Sequence, residues 1–290
     1  MAKKNINFLN SDEAAKVLGV NVSTIKRWTD EGKLECIQSS GGHRKFLMNH
    51  LSEFLEKNKK KASRVNVFPI ESDADLKVSY NILKGDFDFL IQYLYDIAIA
   101  SDRNAVQKVL NGLYLGQYPL FDIYDQLVTP VLHQIGYLWM EEEISVIEEH
   151  IASQTIRDAI NRLQGIIHIP KQKNERALCM NLSHDLHDIA LKMVQHILEL
   201  RGFMTYFSGQ LTPMIKIENV FVKFQPQRLY ISSSIVSNVK YTQNEVNQLF
   251  DICRSFKTKI YIGGRGWDKL KYSHPNVVQR LYTFEEVYHA

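Results

Sequence analysis

The chain has 290 residues, 45% of them hydrophobic and 23% charged, with a formal net charge of +3, a balance that excludes disordered and fibrous classes. No apolar run reaches the roughly 18 residues a membrane helix needs, and "MAKKNINFLN" leads into no apolar signal core, so cytoplasm is the expected compartment. Cys36, Cys179 and Cys253 form no C-x-x-C pair and are expected to be small buried hydrophobes rather than a zinc or disulfide framework.

Residues 1–64 hold 13 Lys and Arg against 7 Asp and Glu, so one end is built to meet an anion while the rest is net negative. Over residues 1–60, "SDEAAKVLGV" predicts a short helix capped by Ser11, with Ala14, Ala15, Val17 and Leu18 inward and Gly19 as its stop. A second helix follows Asn21 and ends near Gly32, with Val22, Ile25 and Trp28 on its apolar face. Ser23, Thr24, Lys26 and Arg27 point the other way and suit a recognition helix, the first three toward phosphates and Arg27 toward phosphate or a guanine edge. In "SSGGHRKF", Gly41 and Gly42 permit a tight turn, His43, Arg44 and Lys45 offer donors to a phosphate backbone, and Phe46 anchors the wing. "EAAKVLGVNVSTIKRWTDEGKL" followed by "GGHRKF" resembles the winged-helix DNA-binding domain of the MerR family and the related excisionases over about residues 7–57. The resemblance implies double-stranded operator DNA as partner. One such domain reads a short half-site, so a homodimer or tetramer is expected.

Residues 61–75 break all periodicity with basic and small residues and a proline and are expected to be a linker. Across 76–168 apolar residues recur at helical spacing, as in Leu90, Tyr93, Leu94, Ile97 and Ala98, which predicts a helical bundle. Trp139 falls in the last turn of one of its helices. Ser145 with Glu148 forms a capping box that starts the next, so Glu149 and His150 belong at the same bundle end as Trp139.

From 174 to 290 the short apolar runs "RALCMNL", "FMTYF", "RLYISSSIV" and "KIYIGG" alternate with helical stretches, predicting a parallel, doubly wound sheet that binds ligands at the carboxyl ends of its strands. "NLSHDLHDIA" stands at such an end. The helix after it, "DIALKMVQHILELRGF", turns Ile189, Met193, Val194, Ile197 and Leu200 inward and stops at Gly202. Asp185, two residues before His187, can hold the ring nitrogen that does not touch a metal, which makes His187 the better ligand candidate and His184 an ordinary loop residue.

Asp185, His187 and Ala190, then 41 residues to Ser232 and Ser234, then 28 residues to Gly263 and Gly264, resemble the signature of cobalamin-binding domains of the methionine synthase and mutase type. The family's motif has glycine where Ala190 stands and leucine where Ser234 stands. The resemblance implies that His187 coordinates cobalt from below, while the nucleotide tail passes the serine loop and the paired glycines. Trp139, nine residues and then Glu149–His150 resemble the helical cap of light-responsive, cobalamin-dependent MerR-type repressors of carotenoid genes. There the tryptophan packs over the upper axial group and the glutamate bonds to the adenosyl moiety. The photoreceptors carry a histidine after the tryptophan, and here that residue is Met140, a soft and weak ligand that does not carry over their bis-histidine locking.

The expectation is therefore a multidomain α and α/β protein: winged helix-turn-helix, helical bundle and flavodoxin- or Rossmann-like sheet. It would be a transcriptional regulator, a repressor rather than an enzyme, whose oligomeric state responds to adenosylcobalamin. The alternatives are a MerR-type regulator that has lost cobalamin binding or senses another ligand, and a cobalamin-dependent carrier subunit of an enzyme.

Overall fold

Asn10, rather than Ser11, starts the first helix. Its side-chain oxygen accepts from the backbone N–H groups of Asp12 and Glu13, while the Glu13 carboxylate accepts from the Asn10 N–H, a reciprocal cap that places Ser11 inside α1 (Ser11–Val17). The computed structural model describes residues 8–18, 20–39, 41–57 and 73–290. The stop expected at Gly19 and most of the expected linker lie outside the described residues. From Asp73 onward that linker is already helix.

The chain divides into two compact units, residues 1–168 and 169–290. In the first, α2 (Val22–Asp30) follows Asn21 and ends two residues before Gly32, which takes a φ of 67°. A hairpin of β1 (Ile37–Gln38) and β2 (Arg44–Lys45) then leads into α3 (Met48–Lys57). Ile25, Leu34, Phe46 and Leu51 are fully buried together, with Val22 packed alongside and the Trp28 ring 4.5 Å from that of Phe54. Leu115, from the bundle, is buried in this same cluster.

The bundle comprises α4 (Asp73–Lys84), α5 (Phe87–Ile99), α6 (Arg103–Leu115), α7 (Leu120–Ile123), α8 (Thr129–Met140) and α9 (Val146–Leu163). Asp86 and Asp102 cap α5 and α6, and Ser145 with Glu148 forms the expected reciprocal box at α9. Leu90, Leu94 and Ala98 recur every fourth residue and are completely buried. A π-helical turn, Tyr124–Val128, precedes α8. Pro130 has no N–H for the carbonyl four residues back, and the ladder widens just before it.

The second unit is a five-stranded parallel sheet of β3 (Arg176–Asn181), β4 (Met204–Phe207), β5 (Arg228–Ser232), β6 (Lys259–Gly263) and β7 (Val277–Leu281), in the order β4-β3-β5-β6-β7. β7 has no counterpart among the four apolar runs, because an edge strand reading Val-Val-Gln-Arg-Leu buries only its last residue. Residues of one parity, Leu178, Met180, Leu229, Ile231, Ile260 and Ile262, pack with α11 (Ile217–Phe224) and α12 (Val239–Phe256). The other face takes α10 (Ile189–Leu200) and α13 (Phe284–His289). Of the inward set expected on α10, Met193 and Ile197 are buried and Ile189, Val194 and Leu200 only half so. Leu191, His196 and Leu198 complete a helix covered on several sides. Cys179 and Cys253 are buried thiols whose pKa burial pushes up, which makes them inert packing groups. Among the described residues no helix is long and apolar enough to cross a membrane.

Burial, with a smaller contribution from Lys192, pushes the pKa of His196 down to about 3 from 6.5. Between those two values the unfolded chain binds a proton that the folded sheet unit refuses. Stability is therefore complete above the upper value and is lost as acid is added, by at most about 1.4 kcal/mol per pH unit. Chemical denaturation across pH is expected to show this slope and His196→Gln to flatten it.

Candidate functional site

Two surfaces carry the chemistry of the first unit. On α2, Ser23, Lys26 and Arg27 are exposed on the face opposite Ile25, and Thr24 is half-buried beside them. In the wing, Gly42 takes a φ of 76° and the Ser39 hydroxyl accepts from the His43 N–H at 3.2 Å, which leaves His43 and Lys45 on the surface. Arg44 behaves differently: its guanidinium is half-buried and pairs with Asp30 at 2.5 Å, tying the wing to the end of the recognition helix.

At the far end of the bundle, α8 delivers Trp139 and Met140, and the turn Glu141–Ile144 delivers the chain into α9. Glu142 holds a left-handed φ of 58° in that turn, a conformation glycine adopts more readily. Glu149 is half-buried, accepts from the Ser153 hydroxyl at 2.7 Å and lies 3.4 Å from the exposed imidazole of His150. Trp139, Met140, Ile147 and Ile151 are all exposed apolar groups, of which the motif spacing marks the first two and neither isoleucine.

In the second unit the strand order reverses at β3, so the loops after β3 and β5 face each other at a topological switch point. Asp185 lies in the first loop and is 2% exposed. One of its oxygens accepts from the backbone N–H of His187 at 2.9 Å and lies 2.9 Å from the His187 Nδ1, and the other accepts from the Ser234 N–H at 2.5 Å. With Nδ1–H donating to the carboxylate, the lone pair of the exposed ring sits on Nε2, the nitrogen able to coordinate a metal. Asn181, at the end of β3 and fully buried, donates its amide to the His187 carbonyl at 2.9 Å. His184 instead sets its ring 5.0 Å from that of Tyr241, on α12. Ala190 is exposed in the first turn of α10.

Ser232 lies between Asn181 and Gly263 in the register of β3, β5 and β6. Gly264 takes a φ of 98°, and a side chain there would meet the Ser233 carbonyl oxygen at 2.2 Å; one at Gly266 would meet the Ser233 hydroxyl at 2.3 Å. At Gly263 the same test finds only ordinary contact, 3.4 Å from the Leu281 carbonyl. The loop glycines thus let the β5 loop pass against the β6 loop: Gly264 is required by backbone contact and φ together, while Gly266, outside the recognised pair, is crowded chiefly by the Ser233 side chain. Around His187 the loops expose Leu186, Leu211 and Ile235, with Leu211 in left-handed backbone and its N–H bonded to the Asp185 carbonyl, and Ile215 is exposed further along the loop that carries Leu211. These aliphatic residues fall outside any helix or strand, so no periodicity marked them. Among the described residues no three His, Cys, Asp or Glu side chains gather into a metal-ligand set.

A family model described as a helix-turn-helix domain matches residues 8–59, and one described as a B12 binding domain matches residues 90–164. No curated protein matches the chain. Among solved structures, the chain is similar to the monomethylamine corrinoid protein of Methanosarcina barkeri, with 14% identity over 70% of this chain and 96% of that one and a TM-score of 0.57. A cobalamin-binding protein from Desulfitobacterium hafniense DCB-2 (14% identity, 70% and 90% covered, TM-score 0.31) and the methanol:cobalamin methyltransferase complex MtaBC from Methanosarcina barkeri (14%, 70% and 78%, TM-score 0.32) also match. The first of these shows the fold. The chain thus joins a region that matches a helix-turn-helix domain to one that matches a B12 binding domain and to a parallel-sheet unit.

Gly264→Ala is expected to destabilise the sheet unit by about 2 kcal/mol or more, since strain and overlap with Ser233 add together. A thermal melt of that variant unchanged from the parent would contradict the loop packing.

Proposed function

We propose that the chain is a cobalamin-responsive, MerR-type transcriptional regulator, a repressor that binds operator DNA as a dimer or tetramer whose assembly depends on adenosylcobalamin. The observation that carries this reading is the imidazole of His187, held by the buried Asp185 at the switch point of a chain that begins with a helix-turn-helix domain.

The residues suit a corrinoid. A macrocycle fills four positions of its metal, so one protein ligand is enough, and His187 Nε2, made more basic by Asp185, is suited to be it. The aliphatic rim of Leu186, Leu211 and Ile235 suits a broad, largely apolar ring face. On the bundle, the exposed Trp139, Met140, Ile147 and Ile151 have the chemistry to meet an apolar ring, with Glu149 as acceptor for a sugar hydroxyl. Ser232 and Ser234 with Gly263 and Gly264 border the route of the nucleotide tail. When bound, adenosylcobalamin supplies a weak, photolabile cobalt–carbon bond. Met140 offers a thioether where the photoreceptors have imidazole, so our reading rests on cobalamin rather than on light. The ligand controls DNA binding only so far as it binds one assembly state better than another.

No catalytic step is assigned to the chain. Its fold likeness to a corrinoid protein favours a second reading, a methyl- or mutase-type carrier subunit. The exposed Lys26, Arg27, His43 and Lys45 have no use in a carrier, and sequence-selective DNA binding separates the two.

Purified protein mixed with adenosylcobalamin is expected to stay coloured after desalting, and His187→Ala to lose most of that retention at equal concentration. Colour lost from the parent protein would leave a regulator without cobalamin. Spectra before and after green light decide the light response. On DNA, Lys26→Ala is expected to reduce the slope of log affinity against log salt by about one. Arg44→Ala is expected to weaken binding to all sequences alike, and a sequence-dependent loss would instead assign it to a base edge.

A further inference from the structure

Besides Arg280 Nε on the edge strand β7, four buried polar atoms near the carboxyl edge of the sheet have no hydrogen-bond partner among the described residues: Asn181 Oδ1, Ser233 Oγ, Glu245 Oε2 and Trp267 Nε1. They are neighbours in the fold. Asn181 lies opposite Ser232 across β3 and β5, and the Ser233 carbonyl accepts from the N–H of Gly266, the residue before Trp267. The other Glu245 oxygen accepts from the hydroxyl of Ser183, two residues beyond Asn181. Because the Asn181 amide is bonded to the His187 carbonyl, this cluster lies directly on the sheet side of the histidine loop.

Buried polar groups are rarely left bare, and a carboxylate oxygen is the most demanding of them. The set is also chemically lopsided. Trp267 Nε1 only donates and Ser233 Oγ does either, whereas Asn181 Oδ1 and Glu245 Oε2 need donors. If His187 were to hold the metal, the corrinoid's own nucleotide base would be released from it and, still tethered, would be left to find partners among buried groups such as these.

We propose that Glu245 and Asn181 read the nucleotide base of the corrinoid and select one that carries an N–H donor, an adenine with its exocyclic amine, over dimethylbenzimidazole. Dimethylbenzimidazole, attached through one ring nitrogen, brings a single acceptor and two methyl groups. It satisfies Trp267 or Ser233 and leaves both acceptors bare. The adenine amine brings two hydrogens, and its ring nitrogens accept from Trp267 and Ser233. The β3 loop and the first half of α12, which meet through His184 on Tyr241 and Ser183 on Glu245, would have to part to admit the base. This inference rests on the corrinoid reading above.

Equilibrium dialysis of the full chain against three probes tests it: cobinamide, which has no nucleotide, cyanocobalamin, and its analogue with adenine as lower base. The adenine form is expected to bind about tenfold or more tightly than cyanocobalamin, the weight of one hydrogen bond to a charged group. Glu245→Gln, which brings N–H donors of its own, is expected to narrow that ratio. Equal affinities, or a preference for dimethylbenzimidazole, in the unaltered protein overturn the inference while leaving the corrinoid reading intact, and so does an unchanged ratio in folded Glu245→Gln. Should that variant fail to fold, the ratio in the unaltered protein decides alone. Failure of all three probes to bind, cobinamide included, overturns the corrinoid reading itself and this inference with it.

Discussion

Asp185, almost without exposure, gives one carboxylate oxygen to His187 and the other to the amide of Ser234, and the candidate site depends on that double attachment. A bare carboxylate in this position would be strongly unfavourable. Three donors from two loops offset the loss of water and in return fix both loops against each other. The imidazole is therefore oriented before any ligand arrives, and little ordering remains to be done on binding.

The neighbouring packing follows the same logic of close backbone approach. The β5 loop can bring the Ser234 N–H to Asp185 because Ser233 sits where side chains at positions 264 and 266 would be. Two glycines on the β6 loop thus position a hydrogen bond made between the other two. Ser234, which departs from the leucine of the resembled family, takes part through its backbone, and the contact with Asp185 is indifferent to its side chain.

Much of this was legible in order along the chain and little of it across the chain. The two capping patterns show the difference within a single motif: Ser145 and Glu148 form the box their spacing implies, while at α1 the neighbouring Asn10, with its own glutamate three residues on, takes the role expected of Ser11. The preference for His187 over His184 was readable because its partner is two residues away. The tie from Asp185 to Ser234 spans 49 residues and that from Ser183 to Glu245 spans 62, distances over which periodicity carries no signal. β7 escaped for another reason, since the edge of a sheet does not demand the continuous apolar run that marks its centre.

Leu115 belongs by sequence to the last turn of a bundle helix and by packing to the core of the winged domain, where it is 1% exposed. Glu53 of α3 and His168 past the end of α9 lie 3.6 Å apart in the same unit. The helix-turn-helix domain is thus keyed into the bundle by side-chain contacts. A tilt of the bundle would therefore swing α2 with it as one lever.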